Sequence, residues 1–333
     1  MSSIFKFVIV GTGNISRTYW KAIDNLQGIE VAGFVSRSRK SPNWLPHDMK
    51  IEVGESLAEI KKDFDGVILC TPNGMHASGA IEVAKLGKHV LTEKSIGITL
   101  ESIDDMIAAC KEHNVKLGVA YQRRMSPDNQ VMKKLLDDGS LGRIYAADLT
   151  VKNYRNDAYY QSGAYRGTWD MDGGGPFMQQ AAHQIDLYGW FFGKPEKVVS
   201  AYGTLAHDIE VEDHGAAILR YSNGMIGTMI VSTVAKPGFD ARLEIHSEKG
   251  TVIMENDIIT TWAVEDMQNP SRVAKGKIHS GASSASVEDT SGHEAIISDF
   301  VAAVREDREP YVSGKSARLA TEIILEIYAN NMA

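Results

Sequence analysis

A short apolar run, Phe7-Val8-Ile9-Val10, ends in Gly11-Thr12-Gly13-Asn14-Ile15-Ser16, and a helical pattern follows. Few local sequences narrow the choice of folds as much. Gly11 permits a tight turn after a strand, and Gly13 lets the backbone approach a pyrophosphate. The next helix then aims the positive end of its dipole at that phosphate. The third small position is Ser16, where glycine or alanine is usual. A Gly-x-Gly also occurs in ordinary strand-to-helix turns, so its reading rests on its surroundings.

The next hundred residues supply them. Strand-like runs recur at 30–36, 66–71, 89–92 and 116–121, with helix-like segments near 16–25, 56–62, 75–86 and 100–113. This alternation predicts a doubly wound parallel sheet with helices on both faces. The strands are near-continuous Val, Ile and Leu, as a sheet covered on both faces requires. Residues 1–122 are therefore expected to form a dinucleotide-binding Rossmann domain. A doubly wound fold without a nucleotide is the alternative.

Beyond residue 122 the pattern changes. Runs at 142–151, 197–202, 216–221, 225–233, 241–247 and 251–254 read as strands. Asn223-Gly224 joins two of them, as a type I′ turn with positive φ at both central residues favours. Glu248-Lys249-Gly250 joins another pair. Residues 123–333 are expected to form an α+β domain with a large, mostly antiparallel open sheet flanked by helices, which binds substrate and oligomerises. Helices are expected at 292–305 and 316–328. A further helix over 175–190, opening after three glycines, would set Gln179, His183 and Asp186 on one face at i, i+4 and i+7. The polar stretch 266–289, with Gly281-Ala-Ser-Ser-Ala-Ser286, reads as a mobile loop, or alternatively an active-site lid.

Composition removes several function classes. A length of 333 residues suggests two domains. The formal charge of −8, without a basic stripe, argues against nucleic acid. Two distant cysteines, Cys70 and Cys110, imply neither a disulfide framework nor a Cys-based zinc site, and fit a reducing cytoplasm. The first strand begins close to Met1, which leaves no room for a signal peptide, and no apolar run approaches membrane-spanning length.

Six short motifs now stand in order: Gly11-Thr-Gly-Asn-Ile15, Cys70-Thr71-Pro72-Asn73-Gly-Met-His76, Thr92-Glu93-Lys94-Ser95, Tyr121-Gln-Arg123-Arg124-Met-Ser-Pro127, Trp169-Asp-Met-Asp172-Gly-Gly-Gly175 and His183-Gln-Ile-Asp186. Together with the closing helices, from His293-Glu-Ala through Asp299-Phe and Arg308-Glu-Pro to Tyr328, they resemble the Gfo/Idh/MocA family of sugar and polyol oxidoreductases over almost the whole chain. The resemblance implies a dinucleotide site at Gly11, Thr12, Gly13, Asn14, Ile15, Thr71, Pro72, Asn73, His76, Glu93 and Lys94. Lys94 matches the catalytic lysine of the family's Glu-Lys-Pro motif, with Ser95 in place of the proline that shapes the turn. An ammonium there can donate to a reacting alcohol or ketone oxygen. His183 matches the family's acid/base histidine, and histidine titrates near neutrality. Many members have an aspartate at the position of Gln179, and glutamine takes up no proton at neutral pH.

Tyr121, Arg123, Arg166, Trp169, Gln179 and His183 are the expected substrate contacts. Arg123 and Arg124 could hold hydroxyls or a carboxylate by their planar forks, with an inter-domain ion pair as the equal alternative. Tyr165-Arg166-Gly-Thr-Trp169 with the glycine triplet resembles the branch acting at the third carbon of nucleotide sugars or hexosides. Core packing accounts for Trp169 nearly as well. His76, Glu93, His183, Asp186 and His293 could converge on a metal, but no His-Glu-x-x-His pattern is present and hydride transfer needs none, so none is expected.

Dinucleotide choice is read at the end of the second strand. NAD-binding folds usually place an acid there, about 20 residues past the glycines. This chain has Ser36-Arg37-Ser38-Arg39-Lys40. NADP is the expected cofactor, held by Ser36 and Arg37, with NAD the alternative. The implied activity is an NAD(P)-dependent oxidoreductase interconverting a secondary alcohol and a ketone, or a lactol and a lactone, on a sugar, polyol or sugar derivative. The rivals are a glycosidase or epimerase that recycles its nicotinamide, and a non-catalytic sugar-responsive regulator. A homodimer or homotetramer is expected through the open sheet face, because Met225-Ile-Gly-Thr-Met-Ile-Val231 looks too apolar on both faces for water.

Overall fold

Phe7, Val8 and Ile9 are fully buried in the strand β1 (Phe5–Val10), which occupies the middle of a parallel sheet. The structure is a computed structural model that describes residues 3–46, 49, 51–273 and 289–332. The chain continues through α1 (Asn14–Asp24), β2 (Ile29–Val35), β3 (Glu52–Gly54), β4 (Gly66–Leu69), α2 (His76–Lys85), β5 (His89–Thr92), α3 (Leu100–Glu112) and β6 (Leu117–Val119). The strand order is β3-β2-β1-β4-β5-β6, and every pair is parallel. This is the order of a dinucleotide-binding Rossmann sheet, whose crevice lies at the carboxyl ends of β1 and β4, where the winding reverses. The structure adds one edge strand, β3. The helix expected over 56–62 is only a 3-10 turn, Leu57–Glu59, directly after it.

A second sheet follows. Its elements are α4 (Pro127–Asp137), β7 (Ile144–Lys152), α5 (Asp157–Gln161), α6 (Ala182–Phe192), β8 (Lys197–Gly203), β9 (His214–Arg220), β10 (Ile226–Ser232), β11 (Arg242–Ser247), β12 (Gly250–Glu255) and β13 (Ile258–Val264). The order is β13-β12-β11-β7-β10-β9-β8. All neighbours are antiparallel except β7 and β10, which pair in parallel. One face carries Leu149, Val151, Leu219, Met229 and Val231 into a core with Ile185, Tyr188, Ile323, Ile324 and Ile327. β10 is therefore buried on one side only. Its other side, Ile226, Thr228 and Ile230, belongs to a face where Ile226, Ile218 and Val199 are 53%, 56% and 44% exposed.

The chain closes with α7 (Ser291–Arg305) and α8 (Gly314–Ala329). Two compact units result, one of residues 1–122 and 286–318, the other of 123–285 and 319–333. α7 thus belongs with the parallel sheet, although it follows the second sheet in sequence. Phe300 explains this: its ring fills the space over Gly118, where a Cβ would lie 2.6 Å from it, and stands 6.0 Å from the Phe7 ring. Residues 274–288, including the stretch 281–286, lie outside the described residues. Among the described residues no helix is long and apolar enough to cross a membrane.

Candidate active site

The two glycines of the first motif are glycines for different reasons. Gly11 has φ +98°, and a Cβ there would lie 2.6 Å from the Cys70 carbonyl oxygen, so the chain itself forbids a side chain. Gly13 caps α1 in an extended conformation, and a Cβ there would meet no protein atom within 4 Å. Nothing in the fold requires glycine at 13. The first turn of α1 carries no acid, so its N–H groups face that space with the full helix dipole. Ser16, at the third small position, is spent internally, donating to the Gly13 carbonyl at 2.5 Å.

The carboxyl end of β4 lies on the same sheet edge. The Thr71 hydroxyl is buried there and has no hydrogen-bond partner among the described residues. Pro72 precedes a 3-10 turn, Asn73–Met75, in which Asn73 is buried. An orphaned hydroxyl, an uncapped helix and a glycine with space before it fit a dinucleotide pyrophosphate. His76 has a different place. It is fully buried, with Nδ1 2.7 Å from the Ser95 carbonyl and Nε2 2.9 Å from that of Thr71. It ties the loop after β4 to the loop after β5, and burial pulls its pKa down.

Lys94 follows β5 directly. The Lys94–Ser95 peptide bond is cis, and Ser95 is fully buried. Glu93 anchors the lysine's backbone: its Oε2 accepts the Lys94 N–H at 3.1 Å, while its Oε1 accepts the Tyr19 hydroxyl at 2.8 Å. His293 of α7 brings Nε2 within 3.9 Å of the same Oε1, and its ring packs edge-on to Tyr19 at 5.2 Å. Burial lowers the pKa of His293, against the pull of Glu93. Glu93 and His293 thus do come together, in a buried polar cluster with a tyrosine. No simple motif marks Tyr19; its position six residues past Gly13 is the only cue.

In the other unit, His183 occupies the first turn of α6. Gln179 does not share that helix. Its N–H reaches the Gly175 carbonyl, whereas the Ala181 N–H reaches back five residues to Pro176. This wider turn breaks the 3.6-residue period before α6 begins, so the one-face argument for Gln179 and His183 fails. The Gln179 amide instead donates to the Asp172 carbonyl at 2.8 Å. Asp186 pairs with Arg124 through two bonds, Nε to Oδ2 at 2.7 Å and Nη2 to Oδ1 at 2.5 Å, with both side chains almost wholly buried. Arg123 donates to Asp257 at 2.6 Å. Both arginines are thereby engaged within their own unit. Tyr121, at the end of the first unit's sheet, is fully buried.

The glycine triplet has a buried carboxylate behind it. Glu212 accepts the Gly175 N–H at 2.9 Å, the Phe177 N–H at 3.1 Å and the Tyr328 hydroxyl at 2.9 Å. Burial pushes its pKa up to about 7 despite those three donors. Trp169 is exposed, donates its indole N–H to the Glu210 carbonyl at 3.0 Å and packs edge-on to Tyr328. Glu212 carries no sequence signal at all; only the fold brings it beneath the triplet.

At the end of β2, Ser36 is buried, with its hydroxyl 3.3 Å from that of Thr12 and 3.1 Å from that of Ser38. Arg37 is exposed. Arg39 is held by two carboxylates, Glu55 at 2.9 Å and Glu59 at 2.7 Å. Acids are therefore present just past β3, although none follows β2 in sequence.

Two family models match the chain. One, described as an oxidoreductase family with an NAD-binding Rossmann fold, spans residues 5–121, and the other, a GFO/IDH/MocA C-terminal domain, spans 129–253. Inositol 2-dehydrogenase of Rhizobium meliloti is 25% identical over 257 residues, 75% of this chain and 76% of that protein. Myo-inositol 2-dehydrogenase of Thermotoga maritima is 25% identical over 272 residues, 78% of each. Among solved structures, the WlbA dehydrogenase from Bordetella pertussis, in complex with NADH and UDP-GlcNAcA, superimposes with a TM-score of 0.84 at 29% identity, covering 99% of this chain and 96% of that one.

Proposed function

The chain belongs to the Gfo/Idh/MocA family of oxidoreductases, and we propose that it interconverts a secondary alcohol and a ketone, or a lactol and a lactone, on a sugar, polyol or sugar derivative. The observation that carries this reading is the sheet edge shared by Gly13 and Lys94, with ligand space before the first and a buried carboxylate fixing the backbone of the second. Gly11 to Ile15 and Thr71 to Asn73 hold the dinucleotide. A bound nicotinamide supplies the acceptor or donor of hydride. The Lys94 ammonium donates to the substrate oxygen and stabilises the negative charge that grows there. His183 takes the hydroxyl proton in one direction and returns it in the other. Gln179, Arg166 and Trp169 serve as polar and apolar contacts to the sugar.

The phosphorylated dinucleotide is the preferred form in this reading. The Ser36 hydroxyl and the exposed Arg37 supply a donor and a cation for a 2′-phosphate. Against it stand Glu55 and Glu59 near Arg39, and the NADH carried by the Bordetella relative. The outward face of the second sheet, with Val199, Ile218 and Ile226, is the surface through which copies pair.

The test is direct. Purified protein is mixed with a panel of sugars and polyols and either NAD⁺ or NADP⁺, and reduced nicotinamide is followed by absorbance. Net reduction with one substrate supports a dehydrogenase, and the dinucleotide giving the higher kcat/KM settles the preference. Product formation without net reduction would identify the recycling glycosidase or epimerase. Ligand binding without any turnover would identify a regulator.

A further inference from the structure

Three glycines in a row, Gly173 to Gly175, give the backbone before α6 few restraints of its own. Gly173 and Gly174 have φ +76° and +147°, and Pro176 has no N–H to offer. Whatever holds this turn must therefore grip the N–H groups on either side of the proline. Those of Gly175 and Phe177 are both taken by Glu212, at 2.9 Å on Oε2 and 3.1 Å on Oε1. Gly175 and Phe177 are buried, so water offers their N–H groups no substitute.

The grip is passed on through the backbone. The Gly175 carbonyl accepts the Gln179 N–H at 2.8 Å, and the Pro176 carbonyl accepts the Ala181 N–H at 2.8 Å. Ala181 caps α6, and its own carbonyl accepts the Ile185 N–H at 2.8 Å. His183 stands inside the turn closed by that last bond. Glu212 is itself firmly placed. It is almost wholly buried, and its carbonyl oxygen occupies the place where a Cβ on Gly175 would begin. Asp213, the next residue, accepts the N–H groups of Leu205, Ala206 and His207. The Asp213 N–H donates to Gly203, and its carbonyl accepts from Thr233. From α8, the Tyr328 hydroxyl completes the set by donating to Glu212 Oε1 at 2.9 Å.

We propose that Glu212 is a positioning residue for the acid/base histidine: by gripping both N–H groups that flank Pro176, it sets where Gln179 and His183 stand. This rests on the oxidoreductase reading above and adds to it a residue that acts through another. Glutamine at 212 would keep one acceptor oxygen and turn its amide NH₂ against the other backbone N–H. The turn would then shift to pair the abandoned donor elsewhere, because an unmet buried N–H is costly. A shift of about 1 Å at a catalytic group is enough to cost on the order of a hundredfold in rate.

The experiment compares the wild type with Glu212→Gln and with Leu219→Ala, which opens a cavity in the core of the same unit and leaves the clamp intact. Turnover is measured with the substrate and dinucleotide found by the panel above, and dinucleotide affinity by calorimetry. The imidazole signal of His183 is followed by NMR of histidine-labelled protein, assigned by its absence from His183→Asn. Glu212→Gln should lower kcat roughly tenfold to a hundredfold, move the His183 signal and leave dinucleotide affinity nearly unchanged. Leu219→Ala should lose stability yet keep both kcat and the His183 signal near those of the wild type. If Glu212→Gln does not fold, Glu212→Asp, whose carboxylate falls one methylene short, is read in the same way and should show the same changes. A normal kcat or an unmoved His183 signal in the folded Glu212 variant would overturn the proposal. So would an equal loss of kcat in Leu219→Ala, which would make the effect one of stability alone. No turnover by the wild type with any sugar and either dinucleotide would sink the oxidoreductase reading, and the His183 signal would still decide whether Glu212 positions that side chain.

Discussion

Tyr328 puts its hydroxyl where a side chain on Gly174 would begin. Gly174 also has φ +147°, a conformation open to glycine alone, and the same hydroxyl donates to Glu212. Gly174 and Gly175 are therefore glycines because the Tyr328 hydroxyl and the Glu212 backbone carbonyl press against them, whereas a Cβ on Gly13 would meet nothing within 4 Å. Gly174→Ala should destabilise the protein by about 1–3 kcal/mol or more, as overpacking and strain combine. Gly13→Ala should change stability by less than about 0.5 kcal/mol yet weaken dinucleotide binding. Urea melts beside dinucleotide titrations separate the two effects. A Gly13→Ala variant that melts early but binds normally would contradict the assignment.

Glu212 makes stability depend on pH. Its folded pKa, about 7, lies above the ordinary 4.5, so the folded state holds the proton more tightly than the unfolded one. Its stabilising contribution is complete below about pH 4.5 and lost as pH rises through 7. The loss is on the order of 3 kcal/mol. Unfolding free energies at pH 5 and pH 8 should therefore fall further for the wild type than for Glu212→Gln. Equal slopes in the two proteins would show that Glu212 titrates normally.

For the chemical step, Lys94→Met should lower kcat by about 10²–10³ while leaving dinucleotide affinity nearly unchanged. His183→Asn should remove one limb of the pH–rate profile. Gln179→Ala should do less than either, because glutamine moves no proton. Near-normal turnover in both the Lys94 and His183 variants would place the chemistry elsewhere.

Self-association should depend on the outer face of the second sheet. Val199, Ile218 and Thr228 lie side by side across β8, β9 and β10, with Asp148 next in the row on β7. Light scattering at micromolar concentration should show a dimer or tetramer, and Ile218→Asp should shift it to a smaller species. A wild-type monomer would remove this surface from consideration.

Periodicity revealed the parallel sheet, because its strands are buried on both faces and read as unbroken apolar runs. The edge strand β3 is three residues long and ends in Gly54, too little pattern to register. β13 was hidden by its turn. Asn256 and Asp257 both adopt positive φ between β12 and β13, the work usually done by Asn-Gly. The placement of the candidate residues was legible where structure is local, as in the strand–turn–helix around Gly11–Ile15 and in Lys94 following β5. It was illegible where long-range packing decides. Glu212 and Tyr19 acquire meaning only from neighbours far away in the chain. The reach from Gln179 to His183 failed for the opposite reason, a local period interrupted by one wide turn.

The parallel pairing of β7 with β10 fixes the order in which the second unit can be built. Hairpins β8–β9, β9–β10 and β11–β12–β13 close locally, but β7 cannot meet β10 until the whole stretch from Lys152 to Ile226 has been made and its ends brought together. That closure costs entropy before any ladder bond repays it, so the middle of the sheet is its slow step. Arg155, Arg166, the glycine triplet and His183 all lie inside that stretch. Pulsed hydrogen exchange during refolding should protect the β9–β10 amides before those of β7. A ribosome must release the second unit well past residue 226 before the middle of its sheet can form.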